Sequence, residues 1–250
     1  MTDQAIKQLK GLYHLLKGKR RYTPPEEVVK AELIFYIKYL QEGMTVFDVG
    51  SNLGELTLLF SSLIGHTGKV HCFEASSSVF SKFESFWKTL GRPQIIPNNL
   101  AVSDIDGYLS LNVYDDEHSG WNSLANRPLE KYGINIKPIH TETVKSTTVD
   151  SYCKEHGIES IDLLKVDVEG AEYQVLLGAV EMLKEKRIKR CTFEFGGTTF
   201  DMGNHPDQIQ NYLDEVGYRI RNVVPRDPIF PGRRSALDAQ FSMLVAVPKI

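Results

Sequence analysis

The stretch Met44-Thr-Val-Phe-Asp-Val-Gly-Ser-Asn-Leu-Gly54 decides how the rest of the chain is read. An apolar, β-branched run ends in Asp48, a turn carries Gly50 and Gly54, and a helical pattern follows with Leu56, Leu59, Phe60 and Leu63 on one face. Strand, glycine turn and helix in that order build a ligand site at the C-terminal edge of a parallel sheet. Glycine lets the backbone approach a ligand closely, and the start of the helix offers unpaired N–H groups.

Acids placed around this turn sharpen the reading. The next apolar run, Lys69-Val-His-Cys-Phe-Glu74, ends in Glu74, and a carboxylate at the tip of a second strand can accept from both hydroxyls of a ribose. Nicotinamide cofactors and S-adenosylmethionine both want that acid. A dinucleotide turn, however, wants Gly-x-Gly-x-x-Gly to admit a pyrophosphate. Here Asn52 replaces the second glycine and the third falls one residue early, which favours S-adenosylmethionine.

Downstream, Ala75-Ser-Ser-Ser78 offers caps for a helix whose Phe80, Phe83, Phe86 and Trp87 lie at helical spacing. Ile95-Ile96 opens a third strand leading to Asn98-Asn-Leu-Ala-Val-Ser-Asp104. Leu100, Ala101 and Val102 could floor an adenine there, with Asn99 or Asp104 meeting its exocyclic amine. Gly107 to Val113 alternates as a strand, and then periodicity stops. Residues 115–146 are polar, with His118, Trp121, Asn122, Arg127 and His140, and read as a lid-like insertion.

A helix begins at Thr147-Thr-Val-Asp150. The strand Ile161-Asp-Leu-Leu-Lys-Val-Asp-Val-Glu-Gly170 follows, with a single helix after it carrying Ala171, Val175, Leu176, Ala179, Met182 and Leu183. Asp167 and Glu169 fall at that strand's end and Glu194 at the end of Arg190–Phe195, so strands repeatedly end in acids at one edge. Gly196 to His205 reads as a loop, Pro206 to Val216 as a helix, Tyr218–Val224 as a strand, and Pro225–Ala239 as a loop with Arg226, Arg233 and Arg234. Phe241–Val247 closes the sheet, and two strands joined without a helix pair as an antiparallel hairpin.

Length and composition set the bounds. At 250 residues the chain fits an N-terminal helical extension over 1–43 and a main domain over 44–250. A net charge of −3 argues against a general nucleic-acid binder. Cys72, Cys153 and Cys191 are scattered, as structural thiols are. No apolar run is long enough to span a bilayer and no signal-peptide core is present, so a cytoplasmic protein without stable membrane insertion is expected. Residues 1–21 alternate Ile6, Leu9, Leu12, Tyr13 and Leu16 with Lys7, Lys10, Lys17, Lys19, Arg20 and Arg21, an amphipathic helix suited to its own domain, a second subunit, a membrane surface or a partner. Pro24-Pro25-Glu26-Glu27 opens a second helix to about Leu40, closed by Gly43.

Val46–Gly54, Phe73-Glu74, Asn99–Asp104 with Gly107, Thr148-Val-Asp150 and above all Leu163-Leu-Lys-Val-Asp-Val-Glu-Gly-Ala-Glu172 resemble the motifs of the FkbM-type family of S-adenosylmethionine-dependent methyltransferases. The resemblance spans about residues 44–247. It implies a class I methyltransferase fold, α/β and Rossmann-like: a seven-stranded, mostly parallel sheet with a C-terminal antiparallel hairpin. It also implies O-methylation of a hydroxyl on a sugar, glycan or secondary metabolite.

On this reading the cofactor contacts are Asp48, Gly50, Ser51, Asn52 and Gly54, then Glu74 and Ala75, then Asn99, Ala101 and Val102, and finally Asp167. Asp167, Glu169 and Glu194 are the candidate catalytic groups, with Asp167 as general base or, alternatively, with Asp167 and Glu194 holding Mg²⁺. The family often places a histidine just after the last acid. Here Phe195-Gly196-Gly197 stands instead, leaving that role open or to His205. Two readings compete: a nicotinamide-dependent oxidoreductase on a similar sheet, and a non-enzymatic α/β binding module. The N-terminal helices are a candidate homo-oligomer contact.

Overall fold

In a computed structural model, the structure describes residues 22–249. The amphipathic helix expected over 1–21 lies outside the described residues.

The central sheet runs through seven strands: β1 (Thr45–Val49), β2 (Lys69–Phe73), β3 (Ile95–Asn98), β7 (Ile161–Val166), β8 (Ile188–Phe195), β9 (Tyr218–Asn222) and β10 (Ser242–Pro248). Their order is β3-β2-β1-β7-β8-β10-β9. β3, β2, β1, β7 and β8 are parallel to their neighbours, and β10 is inserted antiparallel between β8 and β9. The expected hairpin is therefore present. A smaller sheet, β4-β6-β5, is built from β4 (Ala101–Val102), β5 (Gly107–Val113) and β6 (His140–Thr147).

Strand alternation splits the core between two faces. Phe47, Val49, Leu164, Val166, Cys191, Phe193 and Phe195 pack on one side with α4 (Val149–His156), α5 (Glu172–Leu177), α6 (Val180–Lys184) and α8 (Pro206–Glu215). Val46, Val70 and Leu163 face α1 (Pro25–Tyr39) and α2 (Glu55–Leu63), whose Tyr36 and Phe60 are fully buried, as is Ile64 just after α2. Continuing that second face by two residues along β1 and β7 brings Asp48 and Lys165, both buried, where apolar residues would otherwise stand.

Several local expectations are corrected. Residues 140–146 are not lid: they pair with β5 from Val113↔His140 to Gly107↔Ser146, because Val144 and Ser146 turn inward. The helix after Gly170 is two helices. At the break, a side chain on Gly178 would meet the Ser103 carbonyl oxygen at 2.0 Å, and the Asp150 carboxylate accepts the N–H groups of Glu181 and Met182 at 2.8 and 3.0 Å to start the second. The segment after Gly196 holds a short helix, α7 (Gly197–Asp201). The serine hydroxyls do not cap α3 (Ser77–Trp87). Ser76 Oγ meets Ser78 Oγ, while the Ser77 N–H reaches the Glu142 carboxylate. All three cysteines are buried and free.

Candidate active site

A cavity of about 250 Å³ opens at the C-terminal ends of β1, β2, β7 and β8. Its floor is the glycine turn. Gly50 has φ +79°, and a Cβ there would lie 1.8 Å from the Asp167 carbonyl oxygen, so only glycine lets the turn and the end of β7 touch. One wall is apolar, with Phe73, Leu100, Ala101, Val102, Leu111 and Leu124. The segment after β5 contributes Ser119, Gly120, Asn122 and Leu124 to the lining.

Glu74 stands at one end, buried. Its Oε1 accepts from Ser76 N at 2.9 Å and its Oε2 from Asn52 N at 3.0 Å, which leaves lone pairs on both oxygens. Burial pushes its carboxyl up to about 7, against those two N–H donors.

At the other end Asp167, Glu169 and Glu194 bring carboxylate oxygens within 4.8 Å of one another. Burial, then the neighbouring Asp167 and Glu169, hold the Glu194 carboxyl well above the ordinary range, and its proton is shared in a hydrogen bond with Asp167. Burial and Asp167 push Glu169 up to about 8, opposed by Arg127, whose Nη1 donates to Glu169 Oε2 at 3.1 Å. Glu169 has φ +52°, an unusual conformation for a residue with a side chain and one that clusters at functional sites.

Beneath this end Lys165 Nζ lies 3.4 Å from Asp48 Oδ1, 3.4 Å from Asp167 Oδ2 and 3.4 Å from the Gly50 carbonyl oxygen. Burial works against the ammonium, but Asp167, Asp48 and Glu32 outweigh it and raise its pKa.

Of the sequence candidates, Gly50, Asn52, Glu74, Ala75, Ala101, Val102, Asp167, Glu169 and Glu194 line the cavity. Asp48 does not. It is fully buried below, accepting from Thr57 Oγ1 at 2.6 Å and facing Lys165. Ser51 is buried with its N–H on the Phe73 carbonyl, and Gly54 packs its Cα against Phe83, so both shape the turn rather than face the cavity. Asn99 is exposed, and its amide donates to the carbonyls of Glu74 and Ala75 at 2.9 and 3.1 Å. Asp104 accepts from Ser103 Oγ and is also outside.

Among the described residues no histidine lines the cavity. His205 Nδ1 instead accepts from Asp207 N and caps α8, and His118 is engaged by Asp115. Two of the three loop arginines are already engaged, Arg233 by Asp207 and Gln210 and Arg226 by Thr23.

Reading by sequence missed three groups. Arg127 sits in the lid, where nothing marks which basic residue turns inward. Lys165 interrupts an apolar strand, a signal that was present. Glu172 looks like an ordinary first-turn acid, yet its Oε1 accepts the N–H groups of Val168 and Gly170 and so fixes the Asp167–Gly170 turn.

The Mg²⁺ alternative gains nothing here. Arg127 and Lys165 already stand against Glu169 and Asp167, so two of the three clustered carboxyl groups meet a cation of the protein's own.

The methyltransferase FkbM domain matches residues 48–220. The chain belongs to the FkbM-domain methyltransferase family. Among its relatives, 31-O-demethyl-FK506 methyltransferase FkbM of Streptomyces tacrolimicus is 29% identical over 216 residues, covering 77% of this chain and 78% of that protein. The 2-O-methyltransferase NoeI of Sinorhizobium fredii is 28% identical over 152 residues, 57% of this chain and 60% of that one. SMU.1697c of Streptococcus mutans, solved in complex with SAH, superposes with a TM-score of 0.50 at 11% identity over 89% of this chain and 98% of that one, which shows the shared fold. The seven-stranded, mostly parallel sheet with its C-terminal antiparallel strands is the one the resemblance implied. Family membership sets aside the oxidoreductase and the binding module. Among the described residues no helix is long and apolar enough to cross a membrane.

Proposed function

We propose that this FkbM-family protein is an S-adenosylmethionine-dependent O-methyltransferase acting on a hydroxyl of a sugar, glycan or secondary metabolite. The observation that carries the reading is the polarity of the cavity. An acid with free lone pairs stands at one end, an apolar slot runs along it, and a carboxyl cluster closes the other end. The residues fit the cofactor: Glu74 for the ribose diol, Leu100, Ala101 and Val102 for the adenine face, and the close Gly50–Asp167 contact for the amino-acid end. Bound there, S-adenosylmethionine supplies an electrophilic methyl group. The names of the two relatives both place the methyl group on oxygen, which supports the same chemistry here.

The protein's own work is alignment, exclusion of water and removal of one proton. Asp167 takes the hydroxyl proton as the oxygen is alkylated. Glu194 donates its hydrogen bond to Asp167 and so leaves the other oxygen of that carboxylate aimed at the acceptor. Glu169, held by Arg127, is kept from competing for the same proton. The lid residues Ser119, Gly120 and Asn122 close the cavity from above. The acceptor is a small molecule or glycan rather than nucleic acid, and residues 44–250 act as the catalytic unit.

Calorimetric titration with S-adenosylhomocysteine, with NAD⁺ in parallel, tests the cofactor. Micromolar binding of the former alone is expected, and binding of NAD⁺ alone overturns the reading. Transfer of labelled methyl groups to a panel of glycosides and hydroxylated metabolites then tests the chemistry. Asp167→Asn should bind S-adenosylhomocysteine as before and lose about 100-fold or more in transfer. Unchanged turnover removes Asp167 from the mechanism.

A further inference from the structure

Among the described residues Lys165 is the buried ammonium under the cavity, and nothing in the proposed chemistry requires it. Its side chain is 4% exposed and enclosed by α1 and α2. A lysine with a purely structural role would need one counter-ion, and Asp48 would suffice. Lys165 instead meets three groups from the two strand ends that build the floor: Asp48, the carbonyl of the Gly50 turn and Asp167, each at 3.4 Å. The backbone of Asp167 is already set, its N–H on the Val49 carbonyl at 3.0 Å and its carbonyl against Gly50. Its side chain meets the Glu194 carboxyl and, through Oδ2, the Lys165 ammonium. The remaining charged groups facing this point are Glu32 from α1, and Glu169, Glu172 and Glu194 around the cavity; all are acids, so Lys165 is the cation that fixes the Asp167 carboxylate.

We propose that Lys165 is a positioning residue: it clamps the Asp167 carboxylate to the glycine turn, so that the anion faces the sulfonium end of the cofactor. This rests on the proposed cofactor. It also gives α1 a part in the site, because Glu32 and Tyr36, hydrogen-bonded at 2.7 Å, seal the ammonium from water on the far side.

Removing the lysine alone strands Asp48 as a buried charge, so the test pairs Lys165→Met with Asp48→Asn, which takes away a cation and an anion together. Asp167→Asn is then measured in the native protein and in the paired variant, reading S-adenosylmethionine affinity by titration and folding by circular dichroism. If Lys165 acts through Asp167, Asp167→Asn weakens binding about tenfold in the native protein and less than about twofold in the paired variant, the non-additivity expected of groups in contact. An equal tenfold loss in both backgrounds overturns the proposal and leaves Lys165 structural. Where the paired variant does not fold, the same cycle is run on Lys165→Gln, which removes the charge and keeps a donor. Failure of the native protein to bind S-adenosylmethionine at all refutes the cofactor reading instead, so the two failures are distinguishable.

Discussion

Glu74 provides the sharpest quantitative test, because its geometry predicts both a mutational and a pH effect. Both of its oxygens accept backbone N–H groups, from Ser76 and Asn52. In Glu74→Gln the new amide must point an N–H at one of those donors. That stranded donor costs stability with or without ligand, whereas affinity falls through the loss of the charge-assisted hydrogen bond from the ribose, about 1.5–3 kcal/mol or roughly 10- to 100-fold. The pH effect has a definite sign. Burial lifts the folded carboxyl from 4.5 to about 7, so the free protein holds the proton below pH 7. A ribose diol donates and therefore needs the carboxylate. Affinity for S-adenosylhomocysteine should thus fall as pH drops through about 7, by roughly tenfold at pH 6, with one proton released on binding. Titration in buffers of different ionisation enthalpy counts that proton. Glu172 and Glu169 also titrate near neutrality, at about 7 and 8, so the control is Glu74→Gln itself, in which the proton release disappears. A variant that keeps native affinity and the native pH slope refutes the assignment of Glu74 to the ligand. The same shift acts on stability: below pH 4.5 its contribution is fully present, and it is lost as pH rises through about 7, as the folded site comes to bury a charge.

Arg127→Met should leave Glu169 without its counter-ion and release the lid, lowering stability by about 2 kcal/mol in urea melts and speeding proteolytic cleavage within residues 115–139. Gly50→Ala drives a Cβ into the Asp167 carbonyl and should abolish S-adenosylhomocysteine binding; Gly133→Ala, at φ +75° with nothing within 4 Å, should cost only about 1 kcal/mol and leave titrations unchanged. EDTA and added Mg²⁺ should leave S-adenosylhomocysteine affinity unchanged within a factor of about two, because Lys165 and Arg127 already stand where a cation would meet Asp167 and Glu169.

The sheet was legible because its signals are local. Four of the five parallel strands are short apolar runs with an acid at or just past the end, and the Gly50 and Gly170 turns follow where the backbone must reverse direction. The acids that line the cavity could therefore be named from the sequence. Asp48 was misplaced because position along a strand does not say which face a side chain takes. Asp48 shares the α1/α2 face with Val46 and points below the floor, whereas Glu74 and Glu194 reach the cavity. The lid boundary failed for a related reason. The sequence Thr141-Glu-Thr-Val-Lys-Ser146 is polar on both faces, and it is a strand only because β5 offers it an edge to pair with. Tertiary contacts were out of reach altogether: the Arg127–Glu169 pair joins residues 42 apart through a loop with no periodicity.

The charges around the cavity suggest why the cofactor should be held and then released. Asp167, Glu169, Glu194 and Glu74 line it, Glu172 lies buried behind the Asp167–Gly170 turn, and within the described residues only Lys165 and Arg127 pair with members of that set. Several of these carboxyls keep their protons, since burying so many anions together costs more than the two cations return. A sulfonium enters such a site as a third cation and lets a further carboxylate ionise, so the charged cofactor should bind more tightly than its neutral product. In the mechanism proposed above, methyl transfer would remove that positive charge as Asp167 accepts a proton. The site then returns to its balanced state with a neutral thioether that it has no electrostatic reason to retain. On this argument the preference for S-adenosylmethionine over S-adenosylhomocysteine should be largest near neutral pH and should shrink as the pH falls and the carboxyls protonate. Paired titrations of the two ligands from pH 5.5 to 8 measure it directly, and a preference that does not change with pH contradicts the argument.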